Sequence, residues 1–381
     1  MRAIILLIGS LLLLATGCAP TTVKPSGPVF FPPAPTPPRI QFLFGIGNSR
    51  DVEGEAAQVS LFSMNAVQTD DLKTFSKPYG ITANGSKIYV ADTIAGRVAA
   101  INLQLKTFVW LKGDFGPGKL GKPINLSTDQ AGNLYVADTE RKKVLAYDAE
   151  GNFLKTYGSG YDMKPVDVAA DARRLYILDM SRHKILVFNK ANGELIEGLG
   201  QDSDNPLERL YLATNMALTK QGLFYVANAG TGSIIKLDRD GHVLGSFGKM
   251  GDGFGQFGRP KGVAIDSKKR AYVVDASHQN VQIFNHQDRL LMFFGDPGLP
   301  RGSLNIPAGI DVTDQDLDFY QQFAAPGFKL EQVMLVVNQV GRYKINVYGL
   351  GKQQEIDYEA YYKKSMEKIR KENPEQLKKK K

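Results

Sequence analysis

Lys77-Pro78-Tyr79-Gly80-Ile81, followed by Ile88-Tyr89-Val90-Ala91-Asp92 and an alternating run at 97–102, is the phrase on which the reading of this 381-residue chain turns. It returns as Lys122-Pro123-Ile124-Asn125-Leu126 with Leu134-Tyr135-Val136-Ala137-Asp138, and four more times before residue 350. The residue closing the Tyr-Val strand recurs at Asp92, Asp138, Asp179, Asn228, Asp275 and Asn338, with gaps of 46, 41, 49, 47 and 63. Each period holds about four short strands of period-two alternation and lacks the 3.6-residue rhythm of helical repeats. Such a unit cannot bury both faces alone, and radial repetition is the arrangement that buries them all, so the expected fold is all-β, a six-bladed β-propeller.

The blade arithmetic supplies its own closure. Outer strands ending in Gly occur at 153–158, 243–248 and 290–295, with weaker copies at 107–113 and 195–200, which is five for six blades. The sixth lies upstream, where Ile40-Gln41-Phe42-Leu43-Phe44-Gly45 carries the same pattern before the first full repeat. This N-terminal strand is expected to pair beside residues 344–348 and close the ring, because an open edge would leave a row of backbone groups unsatisfied.

Outside the repeats the chain changes character. Arg2, then an apolar run at 4–14 broken only by Gly9 and Ser10, reads as a signal peptide too short to span a bilayer. Ala15-Thr16-Gly17-Cys18 resembles a bacterial lipobox, with Ala15 where Leu is usual, and Cys18 is the only cysteine. The resemblance implies cleavage after residue 17 and acylation of Cys18. It makes the protein an exported, lipid-anchored lipoprotein, and Ala19 after the cysteine points to the outer membrane of a Gram-negative bacterium. With Cys18 acylated the fold has no disulfide, thiolate nucleophile or zinc-cysteine site. Residues 18–39 carry Pro25, Pro28, Pro32, Pro33, Pro35, Pro37 and Pro38 and read as an extended tether. The propeller is assigned to 40–351 and a basic helical tail to 352–381, with a helix at 355–371 whose Tyr358, Tyr362, Met366 and Ile369 form one stripe. An expanded turn at 313–332 in the sixth repeat is a candidate binding or packing loop.

Of the net charge of +8, residues 1–39 carry +3 and residues 352–381 carry +4, leaving the repeats near neutral. With export, that balance argues against nucleic acid as a partner.

The blade Arg259-Pro260-Lys261-Gly262-Val263-Ala264, Ala271-Tyr272-Val273-Val274-Asp275, Val281-Gln282-Ile283-Phe284 resembles the NHL repeat family, and the resemblance covers about residues 40–350. It implies the propeller and carries little function, since the family spans protein and RNA binders and a few enzymes. Calcium-dependent propeller hydrolases, similar in fold, place oxygen ligands at the starts of inner strands. Here Asn125, Asp167 and Asn215 replace the Gly of Pro-x-Gly in three consecutive blades, and Asp311 adds an inner-strand carboxylate. Calcium takes six to eight oxygens, so these four are the candidate metal site. Against it, the first blade reads Pro78-Tyr79-Gly80 where those hydrolases carry a ligating Glu, and Asn or Asp at strand starts bonds its own turn.

No inner strand carries His, and no Ser-His-Asp grouping or phosphate loop stands out. The recurring Asp92, Asp138, Asp179 and Asp275 read as structural, because catalysis breaks symmetry. The reading is therefore a protein-binding scaffold rather than an enzyme, with no resident cofactor and an envelope or extracellular partner such as a multihaem cytochrome or transport complex. Its binding face is expected on the hairpins bearing Arg97, Arg141, Lys142, Arg182, His183, His278 and Gln279. The alternative is a calcium-dependent hydrolase or lyase working at the tunnel mouth.

Overall fold

The computed structural model describes residues 27–54, 72–113, 115–200, 205, 208–299 and 301–372. The expected export signal, Cys18 and the terminal lysines lie outside the described residues. Six antiparallel sheets follow one another along the chain. Their inner strands are Pro78–Asn84, Pro123–Thr128, Pro165–Ala170, Ala213–Leu218, Pro260–Ile265 and Pro307–Thr313. Each inner strand packs beside the next, and the sixth returns to the first, so the sheets close as a propeller around a central axis.

The core is built between blades rather than within them. Six apolar clusters each draw on two neighbouring blades, for example Tyr89, Val98 and Leu111 of the first with Leu126, Val136 and Tyr147 of the second. Alternation along each strand produces this, because successive side chains face opposite neighbours.

Closure occurs as the outer-strand count requires. Ile40–Ile46 pairs antiparallel with Ile345–Gln353, with Phe42 opposite Tyr348 and Ile46 opposite Ile345. The tether assignment needs correction: Val29–Phe31 forms a fifth strand outside it, with Phe31 opposite Ile40. Phe31 is 3% exposed and packs against Phe294 and Tyr348. Proline density hid this strand, since Val29-Phe30-Phe31 lies between Pro28 and Pro32 and an outermost edge tolerates flanking prolines. The propeller therefore begins near residue 28, not 40.

Two terminal features also differ from expectation. The 313–332 expansion is partly absorbed into the sheet, because Phe328–Asn338 is a long strand, and the loop left at 314–327 holds helix α2, Leu317–Gln321. Helix α1, Arg50–Glu53, precedes it in the chain. The α2 loop is a packing element: Tyr320 is fully buried and its hydroxyl donates to the Gly85 carbonyl (3.0 Å), while Phe323 stacks near Phe44. Helix α3, Tyr358–Glu372, starts later than expected, and Tyr358 of its stripe is buried. The Tyr358 hydroxyl donates to the Pro38 carbonyl (2.6 Å), whereas Tyr362 and Met366 are 45% and 48% exposed.

Candidate functional site

Inner strands start at one end of the ring, which also carries the hairpins between second and third strands and the connections between blades. We call it the proline end. Every inner strand is bulged at its Pro-x-Gly/Asn/Asp start, a device that re-aims side chains.

At the bulge, glycine and polar residues solve the same contact differently. A Cβ on Gly80 would come within 2.6 Å of Asn125 Cα and the Ile124 carbonyl oxygen, and one on Gly309 within 2.5 Å of the Tyr79 carbonyl oxygen. At two of the three polar starts the side chain bonds the neighbouring blade's inner edge. Asn125 Nδ2 donates to the Val166 carbonyl (2.7 Å), and Asp167 accepts from Met216 N (2.7 Å) and Val168 N (2.8 Å). One layer further in, Asp311 accepts from Ala83 N (2.8 Å), Val312 N (2.8 Å) and Thr82 Oγ1 (3.2 Å).

All four candidate metal ligands line one central cavity of about 210 Å³. Asp167 and Asp311 stand on the third and sixth blades, opposite walls of the ring. Burial raises the Asp167 carboxyl to about 7 and the Asp311 carboxyl to about 6, in spite of their N–H donors. Asn215 on the fourth blade is 4% exposed, and its Oδ1 has no hydrogen-bond partner, nor does the buried Ser127 Oγ of the second blade, which lines the same cavity. The cavity thus combines two high-pKa carboxyls with two unengaged oxygens.

Among the described residues, a three-member grouping of His, Asp or Glu ligand atoms occurs at Asp238, Asp240 and His242 in an outer hairpin. The same turn recurs without His, since Asp148 accepts from Asn152 N (2.7 Å) and Asn152 Nδ2 (2.9 Å) as Asp238 accepts from His242 N (2.8 Å). That recurrence identifies a turn motif rather than a metal centre.

The recurring strand-end Asp is structural as the repetition implies, and its role is to display a neighbour. Asp92, Asp138, Asp179 and Asp275 are fully buried, and each accepts at 2.9 Å from the backbone N–H of the residue just before the blade's proline: Lys77, Lys122, Lys164 and Arg259. The carbonyls of those four residues accept in turn from Thr93, Thr139, Met180 and Ala276 N–H groups at 3.0–3.1 Å. Both backbone groups are fixed while the side chain stands in solvent, giving four exposed cations around the tunnel mouth. In the fourth and sixth blades the residue before the inner strand is apolar: Leu212 and Ile306, 44% and 41% exposed and both at positive φ. Positive φ at a β-branched Ile is strained backbone. The Lys/Arg-Pro pairs were visible in the repeat alignment; what made them a ring was the buried Asp beneath each.

The residues expected on the binding face share this end, but several are engaged within it. Arg141 donates to the Lys119 carbonyl (2.5 Å), Lys142 pairs with Asp162 (2.5 Å), and Arg182 bonds Asp179 (2.8 Å). His278 bridges Asp275 (2.7 Å) and Asp252 (3.0 Å), and the Asp252 bond leads in raising its pKa. Arg97 lies over the Trp110 ring, and His183 near Tyr211, while Lys142, His183 and Gln279 hold the left-handed position of their hairpins. Behind the crown, Lys261 is 4% exposed with its Nζ 5.1 Å from the Tyr79 ring centroid, and burial beside Arg259 and Lys77 lowers it to about 8.

No family model and no curated protein matches the chain. Solved structures do match in shape. A protein of unknown function from Bacteroides thetaiotaomicron aligns over 82% of this chain and 75% of its own at 16% identity, TM-score 0.58. A gluconolactonase from Xanthomonas campestris aligns over 86% and 99% at 14% identity, TM-score 0.54. A virginiamycin B lyase from Staphylococcus aureus, solved with quinupristin, aligns over 75% and 98% at 13% identity, TM-score 0.50. At such identities the likeness is one of fold alone, and that fold is the six-bladed β-propeller.

Proposed function

We propose that this chain is a lipid-anchored interaction scaffold of the bacterial envelope, held through Cys18 at the outer membrane, whose working surface is the proline end. The carrying observation is the display device: buried Asp92, Asp138, Asp179 and Asp275 each fix a backbone that presents one exposed cation. A rigid ring repeating one presented side chain per blade suits recognition of an extended anionic surface. The polar groups of the tunnel support the same reading, because Asn125, Asp167 and Asp311 are spent on staples to the adjacent blade.

A second reading, a calcium-dependent hydrolase or lyase, is favoured by Asn215 Oδ1 and Ser127 Oγ, two buried and unengaged oxygens in the cavity shared with Asp167. Asn125, Asp167, Asn215 and Asp311 would hold the cation there.

The two are separated with the full-length chain. A photo-crosslinker at Ile94 on the proline end, with one at Leu105 on the far end as control, should give envelope adducts from Ile94 that vanish when Lys77, Lys122, Lys164 and Arg259 are changed to Glu. Stoichiometric calcium that leaves in Asp167→Ala and Asn215→Ala, with adducts unaffected by the charge changes, would transfer the assignment to the enzyme.

A further inference from the structure

The proline end combines the crown with exposed apolar tips. Phe115 is 85% exposed, Phe254 86%, Ile94 70% and Met250 53%, all in hairpins or blade connections on that end. Lys119, Lys249 and Arg342 stand exposed among them. The opposite end takes the turns built on acids, in which Asp129, Asp148, Asp171, Asp238 and Asp266 each accept backbone N–H groups. Cations stand on those same turns, among them Arg173, Lys190, Arg239, Lys268 and Arg270, so the far end is mixed in charge, while the proline end carries the exposed cations before the prolines. Aromatic and aliphatic tips inside a cationic field suit an interface that is anionic outside and apolar beneath.

The chain's entry selects which such interface is in reach. Val29–Phe31 runs away from the proline end, antiparallel to Ile40–Ile46, so residues before Val29 approach from that end, where Arg301 bonds the Gly27 carbonyl. Eight residues, 19–26, separate Gly27 from Cys18, nine backbone steps with a reach of about 30 Å. Turning the other end toward the membrane would send this lead back along the 7-residue outer strand, using about 23 Å of that reach.

Resting on the lipid-anchored reading above, we infer that the proline end docks on the anionic headgroup surface of the membrane that holds the anchor, with Lys77, Lys122, Lys164 and Arg259 on the headgroups and Phe115 and Phe254 in the interface.

Cys18 is the only cysteine, so in the acylated full-length chain one introduced cysteine is a unique label site. Phe254→Cys and Leu105→Cys carry an environment-sensitive fluorophore in vesicles of phosphatidylcholine alone or mixed with phosphatidylglycerol. The label at 254 should be quenched by a lipid-borne quencher only in the anionic vesicles and less at high salt, while the label at 105 stays accessible to a water-soluble quencher. Changing Lys77, Lys122, Lys164 and Arg259 to Gln should lower the docked fraction about fivefold per cation removed; these side chains are exposed, so folding is checked by the unchanged signal at 105. Equal quenching of 254 in neutral and anionic vesicles, or quenching unchanged by the Gln variants, overturns the inference. Protection of 254 that appears only when envelope proteins are added overturns it in favour of an acidic protein partner. A chain that stays in solution and labels at its native cysteine instead overturns the anchor reading itself.

Discussion

Asp167→Asn tests whether the tunnel is a scaffold's axis or a cation site. The carboxyl is 6% exposed, bonded to two backbone N–H groups, and raised by burial from 3.8 to about 7. The folded protein therefore holds this proton more tightly than the unfolded chain does. Its stabilisation is fully present below about pH 4 and is lost as pH rises through about 7. At about 1.4 kcal/mol per pH unit the interval is on the order of 4 kcal/mol, and Asp311, raised to about 6, acts in the same direction. Asn cannot ionise, but its single carbonyl oxygen can serve only one of the Val168 and Met216 N–H groups, which costs about 1–3 kcal/mol at every pH. In urea unfolding followed through the single tryptophan, Trp110, the variant should therefore be the less stable one near pH 5 and gain on the native chain by about 2–3 kcal/mol between pH 5 and pH 8. A stability difference that does not move in this direction between the two pH values refutes the reasoning: Asp167 would then be ionised in the fold and compensated by a cation in the cavity, as the calcium reading requires.

Phe31→Ala should cost about 3–5 kcal/mol in the same assay, since its ring is buried against Phe294 and Tyr348; an unchanged midpoint would return residues 29–31 to the tether. Gly80→Ala should destabilise by about 1–3 kcal/mol, because its Cβ meets backbone of the second blade, whereas Gly198→Ala meets side chains at 3.5 Å or beyond and should be near neutral in a paired thermal melt. Asp138→Ala strips the acceptor from Gly121, Lys122, Glu140 and Arg141 N–H groups and should lose roughly 3 kcal/mol or more. Asp138→Asn should lose less, since Asn228 and Asn338 fill this place naturally, and equal losses in a thermal melt would argue that the charge matters more than the acceptor.

What the sequence made legible was whatever repeats. Pro-x-Gly starts, Tyr-Val-x-Asp strands and Gly-ended outer strands recur, so blade number, strand order and the N-terminal closure could be read from column alignment. The strand at Val29-Phe30-Phe31 occurs once, among prolines, and its partner Phe42 is fixed by tertiary pairing, so local pattern gave a tether. The candidate ligands Asn125, Asp167, Asn215 and Asp311 do line one cavity, as their positions on the inner strands implied. Their engagement was hidden, because Val166, Met216 and Ala83 belong to the following blade and no spacing reveals a bond between copies. Charge was hidden for another reason. A sum along the chain mixes both ends of every blade, so the four exposed cations before the prolines do not show in it as a ring.

That geometry places the most consequential bond of the fold next to the proposed anchor. The seam is the pairing of Ile40–Ile46 with Ile345–Gln353, fastened by Arg39 Nε to the Gly351 carbonyl (2.9 Å) and by Tyr358 to Pro38, so α3 and the proline segment clasp it from the far end. Every other blade is local in sequence; this one joins residues about three hundred apart, and loop-closure entropy makes it the last sheet to complete. A chain emerging N-terminus first must therefore hold an unpaired strand of Ile40, Phe42 and Phe44 until the sixth blade arrives. The flanking prolines restrain that edge in the meantime, since they cannot extend a ladder. The composition that resembles a spacer is thus the part of the chain that protects the seam before closure and packs it afterwards, leaving residues 19–26 as the lead between Cys18 and the described fold.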